Sequence, residues 1–266
     1  MDSSWRMRTG GYAPIEEYAA IGDGRTAALV ARDGSIDWLC LPNFDSPSVC
    51  AAILDTARGG VFELQPTIPF DTSRRYLPHT NVLETQFTTG HGSVRVVDAL
   101  TLPNDHLDPM RELVRSVEGV SGAVPMRWRF VPRFNYGTEG PRCEWRQGIP
   151  IATWGSDAVG IASWGAGAPS WRNHAAEASF EIREGARASL ALTAAYAEPL
   201  VIPGRAAVTA RLEGTIRFWE QWSREREYQG PWADLVERSA LVLKLLIFAP
   251  SGASVCLLYT SDAADE

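Results

Sequence analysis

The sequence predicts a mainly β protein, an antiparallel β-sandwich that is followed by two helices. Short strand candidates follow one another from about residue 20 to residue 200, with turn-forming residues between them. Several candidates alternate apolar and polar residues, which is typical of antiparallel strands with one solvent-facing side. Apolar residues at helical spacing begin only after Pro203-Gly204. Many short, evenly spaced strands indicate a sandwich or a barrel.

The first predicted element is a β-hairpin. Thr26 to Ala31 and Ile36 to Leu41 are apolar stretches of strand length, and Pro42 closes the second stretch. Asp33-Gly34 between them is a strong turn signal, because glycine accepts positive φ without a steric penalty. The pattern therefore predicts two paired strands near the start of the chain.

A short helix is predicted after this hairpin. The run Phe44-Asp45-Ser46-Pro47 is typical of a loop that leads into a helix, since serine caps helices and proline suits a first helical position. The apolar residues from Val49 to Leu54 would continue that helix. On this interpretation Ser46 is an N-cap and the loop builds the fold.

Further strand candidates fill the chain up to residue 200. The alternation in Met126-Arg127-Trp128-Arg129-Phe130 is typical of a half-buried strand. Gly137 to Trp171 is rich in Gly, Ser, Ala and Trp, and we expect irregular loops and edge strands there. The clear candidates are Val82–Thr88, Val94–Leu100, Leu113–Val120, Met126–Val131, Ala178–Ile182 and Ala188–Ala194.

Two helices are predicted after residue 203. The second, from Trp232 to Phe248, is apolar nearly all the way round over Leu241–Phe248 and therefore needs burial on more than one side. The rest of the sequence supplies too little apolar surface to bury it. The first is an amphipathic linker helix with apolar residues at helical spacing, Val208, Leu212, Ile216 and Trp219.

The composition excludes several classes of partner. The chain has 266 residues, 45% of them hydrophobic, and a formal net charge of -7. Binding to nucleic acid or to an anionic membrane needs clustered Lys and Arg, so we expect neither partner. No apolar leader or membrane-length run is present, and we expect a cytoplasmic protein. The ten tryptophans fit either sugar stacking or a sandwich core.

Cysteine and histidine residues indicate neither a disulfide framework nor a metal centre. The cysteines form no CxxC pair and lie on apolar segments, so we expect buried, reduced thiols. The histidines are scattered among turn-like segments, and we expect no metal and no cofactor. These residues are Cys40, Cys50, Cys143, Cys256, His79, His91, His106 and His174.

A set of motifs in fixed order carries more specific information. They are Ile21-Gly22-Asp23-Gly24-Arg25-Thr26, Asp37-Trp38-Leu39-Cys40, Phe44-Asp45-Ser46-Pro47, Gly59-Gly60-Val61-Phe62, Arg75-Tyr76-Leu77-Pro78, Thr80-Asn81-Val82-Leu83, Arg133-Phe134-Asn135-Tyr136-Gly137 and Arg238-Ser239-Ala240-Leu241. This set resembles glycoside hydrolase family 15, the glucoamylase and trehalase-like proteins, over roughly residues 15 to 253. Its opening resembles the trehalase-like N-terminal domain of that family. Asn135 departs from the family pattern, which usually has an acidic residue there.

The resemblance implies a domain organisation. Residues 1–14 would be a disordered N-terminus, 15–203 a sandwich of the supersandwich type and 204–230 the linker helix. Residues 231–253 would be the first helix of an incomplete (α/α)6 catalytic barrel, and 254–266 a non-native tail. On this reading the chain is a fragment that stops before the catalytic barrel.

The resemblance also implies a reaction, hydrolysis of α-glucosidic bonds with inversion. That chemistry needs two carboxyl groups roughly 6.5 to 9.5 Å apart. In the family both catalytic glutamates lie in the barrel, so we expect no catalytic residue in this chain and no activity of the chain alone. The expected partners are this barrel and, in the longer parent, an α-glucoside or trehalose-like sugar. Trehalose, maltooligosaccharide, isomaltose and dextrin remain open.

Asn43, Phe44 and Asp45 are the candidate substrate-binding residues. Loops of the N-terminal domain in related glucosidases can pack near the barrel mouth, where a Phe-Asp pair could offer an aromatic face and a hydroxyl acceptor. The alternative is that the three residues shape the loop before the predicted Ser46 helix. The carboxylates of Asp37, Asp45, Glu84 and Asp98 have no companion at a telling spacing.

Two other functions are open. One is a free-standing carbohydrate-binding or interaction module that binds glycan through exposed tryptophans. The other is a different sandwich-plus-barrel enzyme, such as a disaccharide phosphorylase. The apolar helix over Leu241–Phe248 argues against the first, because a self-sufficient module has no use for it. The Asp23-Gly24-Arg25-Thr26 and Asp37-Trp38-Leu39-Cys40 runs argue against the second.

Overall fold

The computed structural model describes residues 8–103, 110–226 and 228–255. The predictions of a disordered N-terminus and a non-native tail fall partly on residues 1–7 and 256–266, outside the described residues, as do His106 and Cys256. The strands are β1 (Tyr18–Gly22), β2 (Ala27–Ala31), β3 (Ser35–Cys40), β4 (Ser48–Cys50), β5 (Val61–Pro66), β6 (Phe70–Tyr76), β7 (Leu83–Thr89), β8 (Gly92–Leu100), β9 (Arg111–Val131), β10 (Arg142–Arg146), β11 (Ile149–Trp154), β12 (Asp157–Trp164), β13 (Ser170–Arg172), β14 (Ala175–Arg183) and β15 (Arg187–Tyr196). The helices are α1 (Arg205–Arg224) and α2 (Ala233–Leu245).

Two antiparallel sheets share the long strand β9. The first sheet has the order β1-β2-β3-β5-β9-β14-β13, with β4 paired to β3. The second has the order β6-β7-β8-β9-β15-β12-β11-β10. Residues 111–122 of β9 pair with the second sheet and residues 123–131 with the first. The predicted antiparallel sandwich is confirmed, and the two candidates in this region form one strand.

The core contains side chains from both sheets. Phe62 of the first sheet and Phe87 of the second are fully buried members of one apolar cluster. Arg115 crosses between the sheets: its guanidinium binds Asp98 at 2.8 Å and donates to the carbonyl of Gly34 at 2.6 Å. Gly34 forms the predicted hairpin turn with φ of 85°, and a Cβ there would lie 2.4 Å from the carbonyl of Leu64.

The predicted helix over Val49–Leu54 is wrong. Ser48–Cys50 is strand β4, and Cys50 pairs with Leu39 of β3. Ser46 does not cap a helix; its hydroxyl accepts a hydrogen bond from the backbone N–H of Asn43 at 3.1 Å. Pairing with β3 and burial of Val49 and Cys50 outweigh the local capping preference.

The expectation of irregular loops and edge strands over Gly137–Trp171 is confirmed for the edge strands β10 and β13, whereas β11 and β12 are interior strands of the second sheet. This stretch forms β10, β11 and β12, and β12 lies between β11 and β15. Gly148 and Gly155, with φ of 78° and 57°, lie at the two hairpin turns. The glycines therefore mark the ends of regular strands.

Both helices pack on the sandwich. The amphipathic character of α1 is confirmed, since Val208 packs on Val114 and Ala191 of the second sheet, and Trp219 packs on Val82 near α2. The second helix ends at Leu245, three residues before its predicted end. Within the described residues, neither helix is long and apolar enough to cross a membrane.

Candidate functional site

The turn between β6 and β7 holds α2 by buried hydrogen bonds. The side-chain amide of Asn81 donates to the carbonyl of Leu241 at 2.9 Å. Arg238, one turn earlier in α2, donates to the carbonyl of Thr80 at 2.8 Å and also to the side-chain carbonyl of Asn81. Asn81 is buried, and its hydrogen bond to Leu241 is made away from water, whereas its contact with Arg238 is part-buried. The helix is therefore fixed in register against the sandwich.

The aromatic ring of Tyr76 supports the same docking. The guanidinium carbon of Arg238 lies 4.1 Å from the centre of that ring, within cation–π range. The Tyr76 hydroxyl donates to the carbonyl of Ala20 at 2.8 Å, and burial raises the pKa of the phenol. Tyr76 thus joins α2 to the first strand of the sandwich.

A second polar contact links three elements at one carboxylate oxygen. Glu237 Oε1 lies 2.8 Å from Nδ1 of His79 and accepts a hydrogen bond of 2.7 Å from the hydroxyl of Ser223. Partial burial would raise the pKa of Glu237, but these hydrogen bonds and the charge of Arg238 hold the pKa below its usual range. The contact joins the β6–β7 turn, α1 and α2 beside a cavity of about 320 Å³.

A buried ion pair fixes α1. Arg211 binds Glu112 of β9 with two hydrogen bonds of 3.0 and 2.6 Å. The hydroxyl of Thr101 donates to the same carboxylate at 3.0 Å, and Thr215 accepts from the backbone N–H of Leu102 at 2.8 Å. Since both charges are paired and hydrogen-bonded, their burial is tolerated.

The loop Asn43-Phe44-Asp45 lies at the other end of α2. The backbone N–H of Phe44 donates to the carbonyl of Arg25 at 2.8 Å, and its ring meets the ring of Phe248 edge-on with centroids 6.4 Å apart. Asp45 is exposed. The loop therefore contacts both the β1–β2 turn and the segment that follows α2.

The β1–β2 turn is preorganised by Asp23. Its carboxylate accepts hydrogen bonds from the backbone N–H groups of Arg25 and Thr26 at 2.8 and 2.9 Å, and burial raises its pKa. The carbonyl of Gly24 accepts from the backbone N–H of Ala249 at 2.6 Å. This turn therefore also contacts the segment after α2.

Comparison with known proteins identifies the family of the chain. The family model described as trehalase-like, N-terminal, matches residues 4–162, well over half of the chain. The chain belongs to the trehalase-like N-terminal family. It is 33% identical over 249 residues to a trehalase of Thermoplasma volcanium and 31% identical over 278 residues to a trehalase of Mycobacterium tuberculosis. The alignments cover 92% and 94% of this chain but 39% and 40% of the relatives, so the chain spans about two-fifths of their length.

Several of the motifs that carried the resemblance to the trehalase-like N-terminal family meet at α2 and the segment after it. Tyr76, Thr80 and Asn81 contact the middle of the helix, and Gly24 and Phe44 contact the segment after its end. The sequence predicted only the Asn43–Asp45 loop as a site. The sequence signal for the contacts of Asn81 and Arg238 was that each residue lies in one of these motifs.

Part of α2 carries apolar side chains on the face away from the sandwich. Leu235 is 63% exposed and Leu243 is 62% exposed. The predicted excess of apolar surface on this helix is confirmed for the described residues. The exposed apolar side chains, called here the outer face of α2, are Trp232, which immediately precedes the helix, and Leu235, Val236, Val242 and Leu243 within it.

The other candidate carboxylates are engaged by separate cations. Asp98 binds Arg115, and Glu84 binds Arg75 at 2.8 Å. The carboxylate of Asp37 is buried, and it binds Arg8 at 2.8 Å and accepts a hydrogen bond of 2.6 Å from the hydroxyl of Tyr18. In the described part of the chain, no group of three or more His, Cys, Asp or Glu residues is placed to hold a metal ion.

Proposed function

We propose that this chain is the N-terminal region of a glycoside hydrolase of the glucoamylase and trehalase type, acting on trehalose or a related α-glucoside. In this proposal the sandwich docks and orients a C-terminal catalytic (α/α)6 barrel. The observation that supports this proposal is that the two sides of α2 differ. One side is held to Thr80 and Asn81 of the sandwich through buried and part-buried polar contacts, whereas the outer face is apolar and exposed.

The outer face of α2 suits a helical partner. Four members, Leu235, Val236, Val242 and Leu243, recur at helical spacing and form one stripe along the helix, interrupted by Ser239. Burying each large apolar side chain contributes about 1.5–3 kcal/mol, which makes the stripe a strong docking surface. We propose 15–203 as the sandwich domain, 204–230 as the linker and 231–253 as the start of the barrel, with α2 as its first helix.

The proposed reaction is inverting hydrolysis. One carboxylic acid would protonate the leaving oxygen and a carboxylate would activate water on the opposite face, across about 6.5–9.5 Å. Within the described residues, Asp37, Glu84 and Asp98 are each paired with an arginine, a state that suits a structural role. We therefore propose that both catalytic carboxylates come from the barrel and that this chain alone is inactive.

Within the Asn43-Phe44-Asp45 loop, Asn43 and Asp45 are the proposed contacts with the sugar. Asp45 is exposed and offers carboxylate oxygens to sugar hydroxyls, and the side-chain amide of Asn43 offers both donors and an acceptor. The contact between Phe44 and Phe248 supports a location beside the entrance to the barrel.

We also propose a cytoplasmic location. Cys40 and Cys50 are free and buried, and burial raises the pKa of the Cys40 thiol to about 12. Inert, reduced thiols of this kind are typical of proteins in reducing compartments.

Joining the two halves tests the proposed function. Residues 8–255 would be fused to the C-terminal region of the Thermoplasma volcanium trehalase that lies beyond the alignment, and glucose release from trehalose would be measured. We expect hydrolysis by the fusion and none by this chain or by the C-terminal region alone. Glucose release by this chain alone would contradict the proposal, as would a folded fusion that cleaves neither trehalose nor maltooligosaccharides.

A further inference from the structure

The chain forms a tight hairpin immediately after α2. The backbone N–H of Phe248 donates to the carbonyl of Ala253 at 2.8 Å, and the N–H of Val255 donates to the carbonyl of Leu246 at 2.7 Å. Gly252 lies in the turn with φ of 73°. Residues 247–255, called here the exit hairpin, thus have a defined direction relative to α2.

Two sandwich loops seat the exit hairpin. The carbonyl of Gly24 accepts the hydrogen bond from the N–H of Ala249, and the ring of Phe44 packs edge-on against Phe248. The end of α2 approaches the same place: a Cβ on Gly22 would lie 2.8 Å from Cγ of Leu245. The exit hairpin is therefore held at Ala249 by its backbone and at Phe248 by its side chain.

The two loops are shaped by contacts that do not involve the exit hairpin. Asp23 holds the first loop through Arg25 and Thr26, and the N–H of Phe44 ties the second loop to the first. The hydroxyl of Thr26 also donates to the carbonyl of Cys40 at 2.5 Å, next to the second loop. The shape of the two loops is therefore set by contacts within the sandwich.

We infer that Phe44 is a positioning residue, which acts through Phe248 to fix the direction in which the chain leaves α2. The ring that sequence reasoning offered to the sugar is already in contact with an aromatic side chain of the protein. The effect on catalysis rests on the proposed function, because it concerns where the barrel joins the exit hairpin. The seating of the exit hairpin by Phe44 does not depend on that function.

Hydrogen exchange on this chain tests the seating. In Phe44→Ala, we expect the amides of Phe248, Ala249 and Val255 to exchange at least about tenfold faster, because local opening becomes easier. Phe44→Leu retains an apolar side chain and should restore part of the protection. The matched control is Phe218→Ala, which removes a part-exposed aromatic ring of α1 that packs on Trp219 and should leave the three amides unchanged.

Two exchange results would overturn the inference. One is unchanged protection of the three amides in Phe44→Ala. The other is amide exchange in β3 and α2 that is accelerated as much as in the exit hairpin, which would show general destabilisation.

Kinetics of the fusion separate positioning from sugar contact. A positioning role predicts that Phe44→Ala lowers kcat by about tenfold with KM within about twofold, whereas loss of a sugar contact made equally before and during reaction raises KM alone. A rise in KM with unchanged kcat would overturn the inference. If exchange responds as expected but the unsubstituted fusion is inactive, the proposed function fails and the seating by Phe44 stands.

Discussion

The side-chain amide of Asn81 donates a hydrogen bond of 2.9 Å to the main-chain carbonyl of Leu241, in the second half of α2. These residues are 160 positions apart, so the bond joins the sandwich to the last described helix. Arg238 uses the other end of the same amide, the Asn81 side-chain carbonyl, as an acceptor. One buried side chain thus satisfies two groups of α2, which explains why the helix stays on the sandwich although its outer face is exposed.

Replacing Asn81 with alanine should destabilise the docking of α2. The change leaves the buried carbonyl of Leu241 without the Asn81 amide and removes one of the acceptors of Arg238, which costs about 1–3 kcal/mol. Urea unfolding followed by circular dichroism measures the loss. Thr88→Ala, an exposed position in β7, is the control and should change stability by less than about 0.5 kcal/mol. Equal effects of the two variants would contradict the docking account.

Breaking the buried ion pair of α1 should cost more than breaking an exposed pair on the same helix. Arg211→Ala leaves the Glu112 carboxylate buried without its guanidinium, which is expected to cost about 3–5 kcal/mol. Arg217→Ala removes a solvent-exposed pair with Glu213 at 3.9 Å and should cost less than about 0.5 kcal/mol. Denaturant midpoints of both variants measure the difference. Similar midpoints would show that the Arg211 contact does not anchor α1.

Gly22 should tolerate no side chain, because of its close approach to α2. A Cβ there would lie 2.8 Å from both Cγ of Leu245 and the carbonyl of Thr26, and relieving such a clash costs about 1–3 kcal/mol. Gly140→Ala is the matched control, since a Cβ at Gly140 meets nothing within 4 Å. Thermal unfolding of the two variants compares them. A Gly22→Ala protein as stable as Gly140→Ala would place the end of α2 elsewhere.

Acid should remove the stabilising effect of Glu237. Its folded-state pKa is lowered, so its carboxylate contributes stability above the unfolded-state value near 4.5 and loses that contribution as pH falls through the folded-state pKa. Glu237→Gln should therefore be less stable than the unsubstituted chain by up to about 1 kcal/mol near pH 7. The two thermal midpoints should converge as the pH falls below 4.5 and through the folded-state pKa. A gap that persists or widens in acid would contradict the assigned role of the carboxylate.

Local patterns in the sequence predicted the elements whose structure depends on neighbours along the chain. The hairpin of β2 and β3 follows from Asp33-Gly34, and α1 follows from its apolar spacing. The short strand Ser48–Cys50 could not be predicted this way, because its pairing with β3 competes with a local helix signal. The glycine-rich composition around β11 and β12 likewise concealed strands that are defined by pairing with β15.

The candidate site was predicted in part. The sequence pointed to the Asn43–Asp45 loop, which the structure places beside the exit hairpin. The docking contacts of Asn81 and Arg238 join positions about 160 residues apart, and local periodicity carries no information on such pairs. The only sequence signal for these two residues was that each lies in a motif of the family resemblance.

Binding between this chain and a trehalase C-terminal region tests the central claim most directly. Calorimetric titration with the separately produced C-terminal region of the Thermoplasma volcanium trehalase should give saturable binding with Kd of about 1 µM or tighter. The double variant Leu235→Glu, Leu243→Glu would bury two unpaired carboxylates in the interface. It should bind at least tenfold more weakly, with a Kd of about 10 µM. Tyr196→Glu, a change at an exposed position outside α2, should bind as the unsubstituted chain does. Absence of binding by the unsubstituted chain, or equal binding by the Leu235 and Leu243 variant, would contradict docking through the outer face of α2.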